Sequence, residues 1–114
     1  KMDKKDLLSN REEAIALFEI YKPLLSFESV RRFEEYYYDD LSLAEICEFE
    51  DVSRSAIHDA LKKTLKKLFF YEDKLEILKK RKKIAKSLSD YKNASGMNKE
   101  NALKRLLEEL ENAI

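Results

Sequence analysis

Arg54, Ser55, His58, Asp59 and Lys62 follow one another at steps of one, three, one and three residues, the spacing of side chains that share one side of a helix. An arginine carries a planar fork of donors that can make two parallel hydrogen bonds to one pair of acceptors, whereas serine and histidine make single, less discriminating ones. Lys62, Lys63, Lys66 and Lys67 add a dense group of ammonium ions just beyond. Their chemistry suits phosphate oxygens, which hold a partner in register without reading it. Taken alone, four lysines on a helix are also what a solvated face carries. Other chemistry is poorly provided for. His58 is the single histidine and Cys47 the single cysteine, eleven positions apart, which is no metal-ligand spacing. No glycine loop could cradle a phosphate, and the carboxylates come in runs typical of helix faces. No catalytic residue, cofactor or metal is therefore expected, and the chain does not read as an enzyme.

The stretch that must position these residues is Ser42 to Lys63, SLAEICEFEDVSRSAIHDALKK. Ser42 precedes a short apolar run in which Leu43, Ile46 and Cys47 share a helical face. The pattern breaks at Asp51 and Val52, and Ser53 supplies the hydroxyl that caps a second helix. That helix is expected to expose Arg54 and Ser55 and to turn Ala56, Ile57, Ala60 and Leu61 inward. Two helices meeting at a sharp elbow need small or apolar contacts there, and Ile46, Cys47, Val52 and Ile57 supply them. The spacing is that of a helix-turn-helix, whose second helix lays its first turns toward base edges in the major groove. Asp51 occupies a turn position where glycine is common, because a left-handed backbone costs glycine least. A plain helical hairpin with a capped second helix is the alternative.

A chain of 114 residues with one glycine, one proline and 40% charged residues has material for one all-α domain and little for hairpins or sandwiches. A lone cysteine excludes an internal disulfide framework and suits a reducing compartment. No run of about 18 apolar residues is present, so no membrane association is expected and the location reads as cytoplasmic. The formal net charge of zero conceals a strong asymmetry. Lys1 to Val52 holds 7 basic and 14 acidic residues, Ser53 to Asn93 holds 13 and 5, and Ala94 to Ile114 holds 3 and 4. Either two faces complement each other within one fold, or a basic second half meets an acidic polymer or partner.

In chain order, Lys1 to Ser9 is charged and expected to fray. Asn10 can cap a helix through Tyr21 with Ala14, Leu17, Phe18 and Tyr21 on one stripe, and Pro23 ends or bends it. Ser26 opens the next helix, where Phe27, Val30, Phe33, Tyr36 and Tyr37 form an apolar stripe and Arg31, Arg32, Glu34 and Glu35 face out. Aromatics this dense at helical spacing predict core rather than a base-stacking platform. After Ser53 no glycine or proline occurs until Gly96. A helix running unbroken to Tyr91 would be about 58 Å long, so either it breaks, near Phe70 to Asp73, or its far half packs on another chain. Ser95, Gly96 and Asn98 make the only linker. The final helix carries Leu103, Leu106, Leu107, Leu110 and Ile114 on one face and must fold back on the long helix or pair with a partner's.

The block Leu17 to Leu75, and above all YYYDDLSLAEICEFEDVSRSAIHDALKKTLKKL, resembles the YlxM family of small bacterial proteins, whose fold is similar to the promoter-binding fourth region of sigma factors. The aromatic pair, the double aspartate, the S-L-x-E-I stretch and the V-S-R-x-A-[VI] stretch carry the resemblance. It implies a DNA-binding regulatory protein, linked by gene neighbourhood to the signal recognition particle pathway. Two features depart from a tight operator reader. Ser55 stands where such proteins tend to have glutamine, and Glu45, Glu48, Glu50 and Asp51 crowd the helix that should cross the phosphates. The expectation is thus an all-α fold with a sigma-like helix-turn-helix, an extended basic helix within residues 1–93, and a C-terminal amphipathic helix at 94–114 packing on it as one structural domain. DNA is the expected partner and a homodimer the expected state. The alternative is a helical adaptor that binds protein or structured RNA of the signal recognition particle.

Overall fold

The structure is a computed structural model that describes residues 10–114, and the expectation for Lys1 to Ser9 lies outside the described residues. Among those described are six α-helices, one 3-10 turn and no strand. They are α1 (Arg11–Tyr21), the 3-10 turn Lys22–Leu24, α2 (Phe27–Tyr37), α3 (Leu43–Glu50), α4 (Arg54–Leu75), α5 (Ile77–Asn93) and α6 (Met97–Ala113). The chain is all-α, as its composition implies. It forms two compact units that divide between Leu75 and Glu76, whereas the sequence expectation placed a division at 93/94 within one domain.

In the first unit α4 is the central element, and α1, α2 and α3 each pack on it. The reason lies in its sequence. Ile57, His58, Leu61, Thr64, Leu65 and Leu68 fall at steps of one, three, three, one and three and are all buried, so α4 offers a continuous inward face. The expected stripe of α1 is all buried, Ala14, Leu17, Phe18 and Tyr21 among it. Phe18 stacks on Phe33 with ring centroids 4.0 Å apart, and Phe33 stacks on Tyr37 at 4.3 Å. Burial, which disfavours a phenolate, pushes Tyr37 up to about 12, so the ring stays neutral inside this stack. The aromatic run of α2 is core from Phe33 onward, but Phe27 is 82% exposed and Val30 only half-buried, because the first turn of α2 projects past its neighbours. Tyr21 donates from its hydroxyl to Glu72 at 2.6 Å, tying the end of α1 to the far part of α4.

Local signals set most helix ends. Asn10 stands at the cap of α1 yet makes no side-chain cap hydrogen bond. Ser26 accepts from the Ser29 backbone N–H at 3.2 Å, and Ser42 and Glu45 form a reciprocal capping box. Pro23 lies within the 3-10 turn that ends α1. The long basic helix does break, but at Glu76 (φ 53°, ψ 32°) rather than at Phe70 to Asp73. A single left-handed residue there stops α4 and starts α5 without glycine or proline.

The second unit is a hairpin in which α6 folds back on α5 through the turn at Gly96. The early residues of α5 line one small groove with Glu109 and Asn112 of α6, which makes the two helices antiparallel. Of the five apolar residues expected on one face of the last helix, Leu106 is half-buried against the hairpin, while Leu103, Leu107, Leu110 and Ile114 are exposed.

Two arrangements join α3 to the rest of the first unit. Its last residue, Glu50, accepts from Arg32 Nη2 at 2.9 Å, from Arg32 Nε at 3.1 Å and from Arg31 Nη2 at 3.2 Å, and only 8% of its side chain is exposed. Arg31 and Arg32, expected to face out, turn instead to this carboxylate. The next residue, Asp51, adopts the left-handed conformation (φ 53°, ψ 43°) and closes α3 with its N–H on the Cys47 carbonyl.

Replacing Asp51 by glycine is expected to stabilise the fold by about 0.5 kcal/mol, and replacing it by valine to cost about 1–2 kcal/mol, since glycine has no Cβ to crowd the left-handed backbone that aspartate tolerates at a small cost, and a β-branched side chain crowds it most. Urea unfolding of the three proteins checks both signs. Glu50 gives a pH-dependent expectation. Its hydrogen bonds from Arg32 hold its carboxyl below the ordinary value. The folded state therefore binds fewer protons than the unfolded chain as pH falls, so the stabilisation is complete above the unfolded value of about 4.3 and is lost as pH drops through the folded one. Glu50→Gln should cost about 2 kcal/mol at pH 7, with the gap to wild type closing below about pH 4. A gap that stays constant across that window would assign the effect to shape rather than charge.

Candidate nucleic-acid interface

The helix-turn-helix is α3, the turn Asp51 to Ser53, and α4. Ser53 Oγ accepts the Ala56 backbone N–H at 3.1 Å, so the second helix starts where its cap residue implied. The elbow is closed by Ile46 and Ile57, 0% and 1% exposed, with Cys47 half-buried beside them. Val52, expected in the elbow, is 39% exposed, and Ala56, expected to face inward, is exposed as well. Val52 lies in the turn rather than on a helix, and the exposure of Ala56 has a simple cause. The rotation that buries Ile57 and His58 together carries Ala56 to the opposite side.

That same rotation sorts the residues expected to act. Arg54 and Ser55 are exposed at the first turn, Lys62 is half-buried along its stem, and Lys63, Lys66 and Lys67 are exposed. Ser55, Asp59, Lys62 and Lys66 fall at steps of four, three and four and form one outward line, and Ala56, Lys63 and Lys67 form the line beside it. His58 is the exception. Only 11% of its side chain is exposed, its Nε2 lies buried without a hydrogen-bond partner, and its Nδ1 is 3.8 Å from the Asp59 carboxylate. A ring turned into the first unit cannot reach a base edge, so the placement of His58 on the outer face is corrected. Asp59, with 72% of its side chain exposed, leaves one negative charge on the outward line.

Arg54 also borders a groove of about 370 Å³ lined by Tyr36, Asp40, Leu41, Ser42, Leu43 and Ala44. A guanidinium and the N-terminus of α3 thus share one concavity. Both favour an anionic group, while the Asp40 carboxylate at its edge opposes one.

The acidic residues of α3 are largely engaged within the fold. Glu45 Oε1 accepts the Ser42 backbone N–H at 2.9 Å, and this hydrogen bond lowers its carboxyl from the ordinary value. Glu50 is held by the two arginines of α2. Glu48 remains exposed. The carboxylates that argue against phosphate contact therefore reduce mainly to Glu48 and to Asp51 at the turn. Sequence reading missed the Arg31, Arg32 and Glu50 cluster, for which nothing local gives a signal. Among the described residues no three His, Cys, Asp or Glu side chains gather as metal ligands would, and no helix is long and apolar enough to cross a membrane.

Residues 8–111 match the UPF0122 family, described as "Putative helix-turn-helix protein, YlxM / p13 like". The UPF0122 protein FN1394 of Fusobacterium nucleatum is 39% identical over 104 residues, covering 91% of this chain and 98% of its own length. The UPF0122 protein YlxM of Bacillus subtilis is 41% identical over 98 residues, covering 83% of this chain and 87% of its own. A UPF0122 protein of Ureaplasma urealyticum is 45% identical over 69 residues, 60% of this chain and 70% of that one. With the helix-turn-helix formed at α3 and α4 and nearly the whole length matched, this chain belongs to the UPF0122 family of YlxM / p13-like helix-turn-helix proteins.

Proposed function

We propose that the chain is a cytoplasmic DNA-binding regulator, acting as a homodimer, that lays the first turns of α4 in the major groove. The observation that carries this reading is the division of α4 into a buried face and an outward face bearing Ser55, Lys62, Lys63, Lys66 and Lys67, with Arg54 at its start. Arg54 is the residue suited to a guanine edge, Ser55 adds a single hydrogen bond, and the four lysines meet phosphates. With Asp59 on the same line and few discriminating side chains, binding is weak in sequence preference and strongly salt-dependent. The sigma-like comparison and the link to the signal recognition particle pathway come from the resemblance to the YlxM family.

Exposed Glu48 and Asp59 favour a second reading, a helical adaptor that meets protein or structured RNA of the signal recognition particle without sequence-specific DNA binding. A structured RNA would still engage the lysines of α4, but not through base edges of a major groove too narrow to admit a helix.

Fluorescence anisotropy with duplex DNA of several sequences and with a structured RNA, each across a salt series, separates the two. Arg54→Ala is expected to lower discrimination between duplexes by about 1–3 kcal/mol at the preferred base pair. Lys66→Ala with Lys67→Ala should weaken all duplexes alike and reduce the salt slope by about two. Unchanged affinity and preference in Arg54→Ala would refute groove reading. Binding to the RNA with none to duplex would install the adaptor in its place.

A further inference from the structure

The second unit, Glu76–Ile114, is shorter than the roughly 40 residues below which a chain usually needs a disulfide, a metal or a partner to hold a core. Among the described residues, which include all of this unit, only its Ser87 and Ala102 are buried. The seam between the two helices is therefore built around small side chains. The large apolar residues lie one position further round. Where Ala102, Leu106 and Glu109 face α5, the neighbouring residues Leu103, Leu107 and Leu110 are 38%, 50% and 40% exposed. On α5, Ser87 faces the seam while Leu88 beside it is 39% exposed. One residue is a rotation of about 100°, and because α5 and α6 run antiparallel, the same step turns Leu88 and the leucines of α6 to the same side of the hairpin. The stripe of α6, Leu103, Leu107, Leu110 and Ile114, repeats at four, three and four, the spacing of a packed helical seam.

We propose that this side of the hairpin seats a second copy of the chain, α5 of each copy lying on α6 of the other in an antiparallel four-helix bundle. This specifies the homodimer part of the functional reading and rests on no DNA contact. Charge selects the occupant and its orientation. Arg81 and Lys92, seven residues before and four after Leu88, lie along its face on α5, and Glu100 and Glu111, with Lys104 between them, edge the leucine stripe of α6. A two-fold axis along the helices sets each basic flank against the other copy's acidic one. The alternative axis, across the helices, would stack α5 on α5, two segments each carrying seven Lys or Arg and one Asp. Like charges at that density repel. Two helices about 25 Å long and about 10 Å apart offer roughly 500 Å² of projected face, enough once side chains interdigitate to approach the roughly 800 Å² per partner of a standard interface.

Sedimentation equilibrium of the full chain from about 1 to 100 μM tests the proposal. Wild type is expected at twice 13.5 kDa, and Leu107→Asp with Leu110→Asp at the monomer mass with most of the helical circular dichroism of the chain retained. Glu100→Lys with Glu111→Lys, which touches no apolar residue, should weaken the dimer at least tenfold, and adding Arg81→Glu and Lys92→Glu to the same chain should restore it. A wild type that stays monomeric at 100 μM overturns the dimer itself. A dimer indifferent to the leucine changes overturns this face as its seat, and failure of the fourfold charge exchange to restore association overturns the pairing of α5 with α6. DNA binding is read separately by anisotropy, so its loss in a dimeric wild type would sink the functional reading and leave this one intact.

Discussion

A carboxylate removed from water must be paired, and Glu50 is the clearest instance of that constraint in the first unit. Its position at the last residue of α3 means that whatever holds it also fixes where α3 ends and how the turn leaves. Arg32 supplies two nitrogens and Arg31 a third, all from α2, so the end of α3 is anchored to α2 by charge while Ile46 anchors its middle to α4 by burial. Breaking such a pair by removing one partner leaves an uncompensated buried charge, which is far more costly than the net value of the pair. The left-handed Asp51 then redirects the chain within a three-residue turn, and α4 can start only where Ser53 caps it.

This anchoring has an electrostatic result that bears on the proposed DNA face. By count, α3 is an acidic helix and a poor neighbour for phosphate. By geometry, Glu50 is neutralised by arginines and Glu45 is turned back onto its own helix terminus. The outward line of α4 then carries the local field, with Lys62, Lys63, Lys66 and Lys67 against the single carboxylate of Asp59. Such a field acts over a Debye length of about 8 Å at physiological salt and draws in the phosphates of any sequence alike, because it involves no base edge.

Elements whose cause is local were legible in the sequence. The capping serines 26, 42 and 53, the buried stripe of α1, and the helix-turn-helix itself follow from periodicity and cap chemistry within a few residues. What sequence reading misplaced depends on contacts distant along the chain. His58 and Ala56 were misplaced because the phase of α4 is uncertain by one residue, about 100°, until its packing partners are known, and Val52 because it lies in the turn, where no helical period applies. Phe27 matches the stripe of α2 but has nothing opposite it. The break at Glu76 gives no signal, since glutamate seldom adopts a left-handed backbone and no glycine or proline marks the site. The arginine pair and Glu50 lie far apart in sequence, where no helical spacing connects them. Of the candidate interface, the exposure of Arg54, Ser55, Lys63, Lys66 and Lys67 was readable, and the burial of His58 was not.

The central claim is that the outward side of α4 is where the chain meets nucleic acid. Backbone amide shifts in an isotope-labelled sample, followed during titration with a short duplex DNA, test it most directly. Movement is expected at Arg54, Ser55, Lys62 and Lys66, with Leu61 and Leu68 on the buried side nearly still. Shifts confined to α5 and α6, with α4 unmoved at saturating DNA, would contradict it.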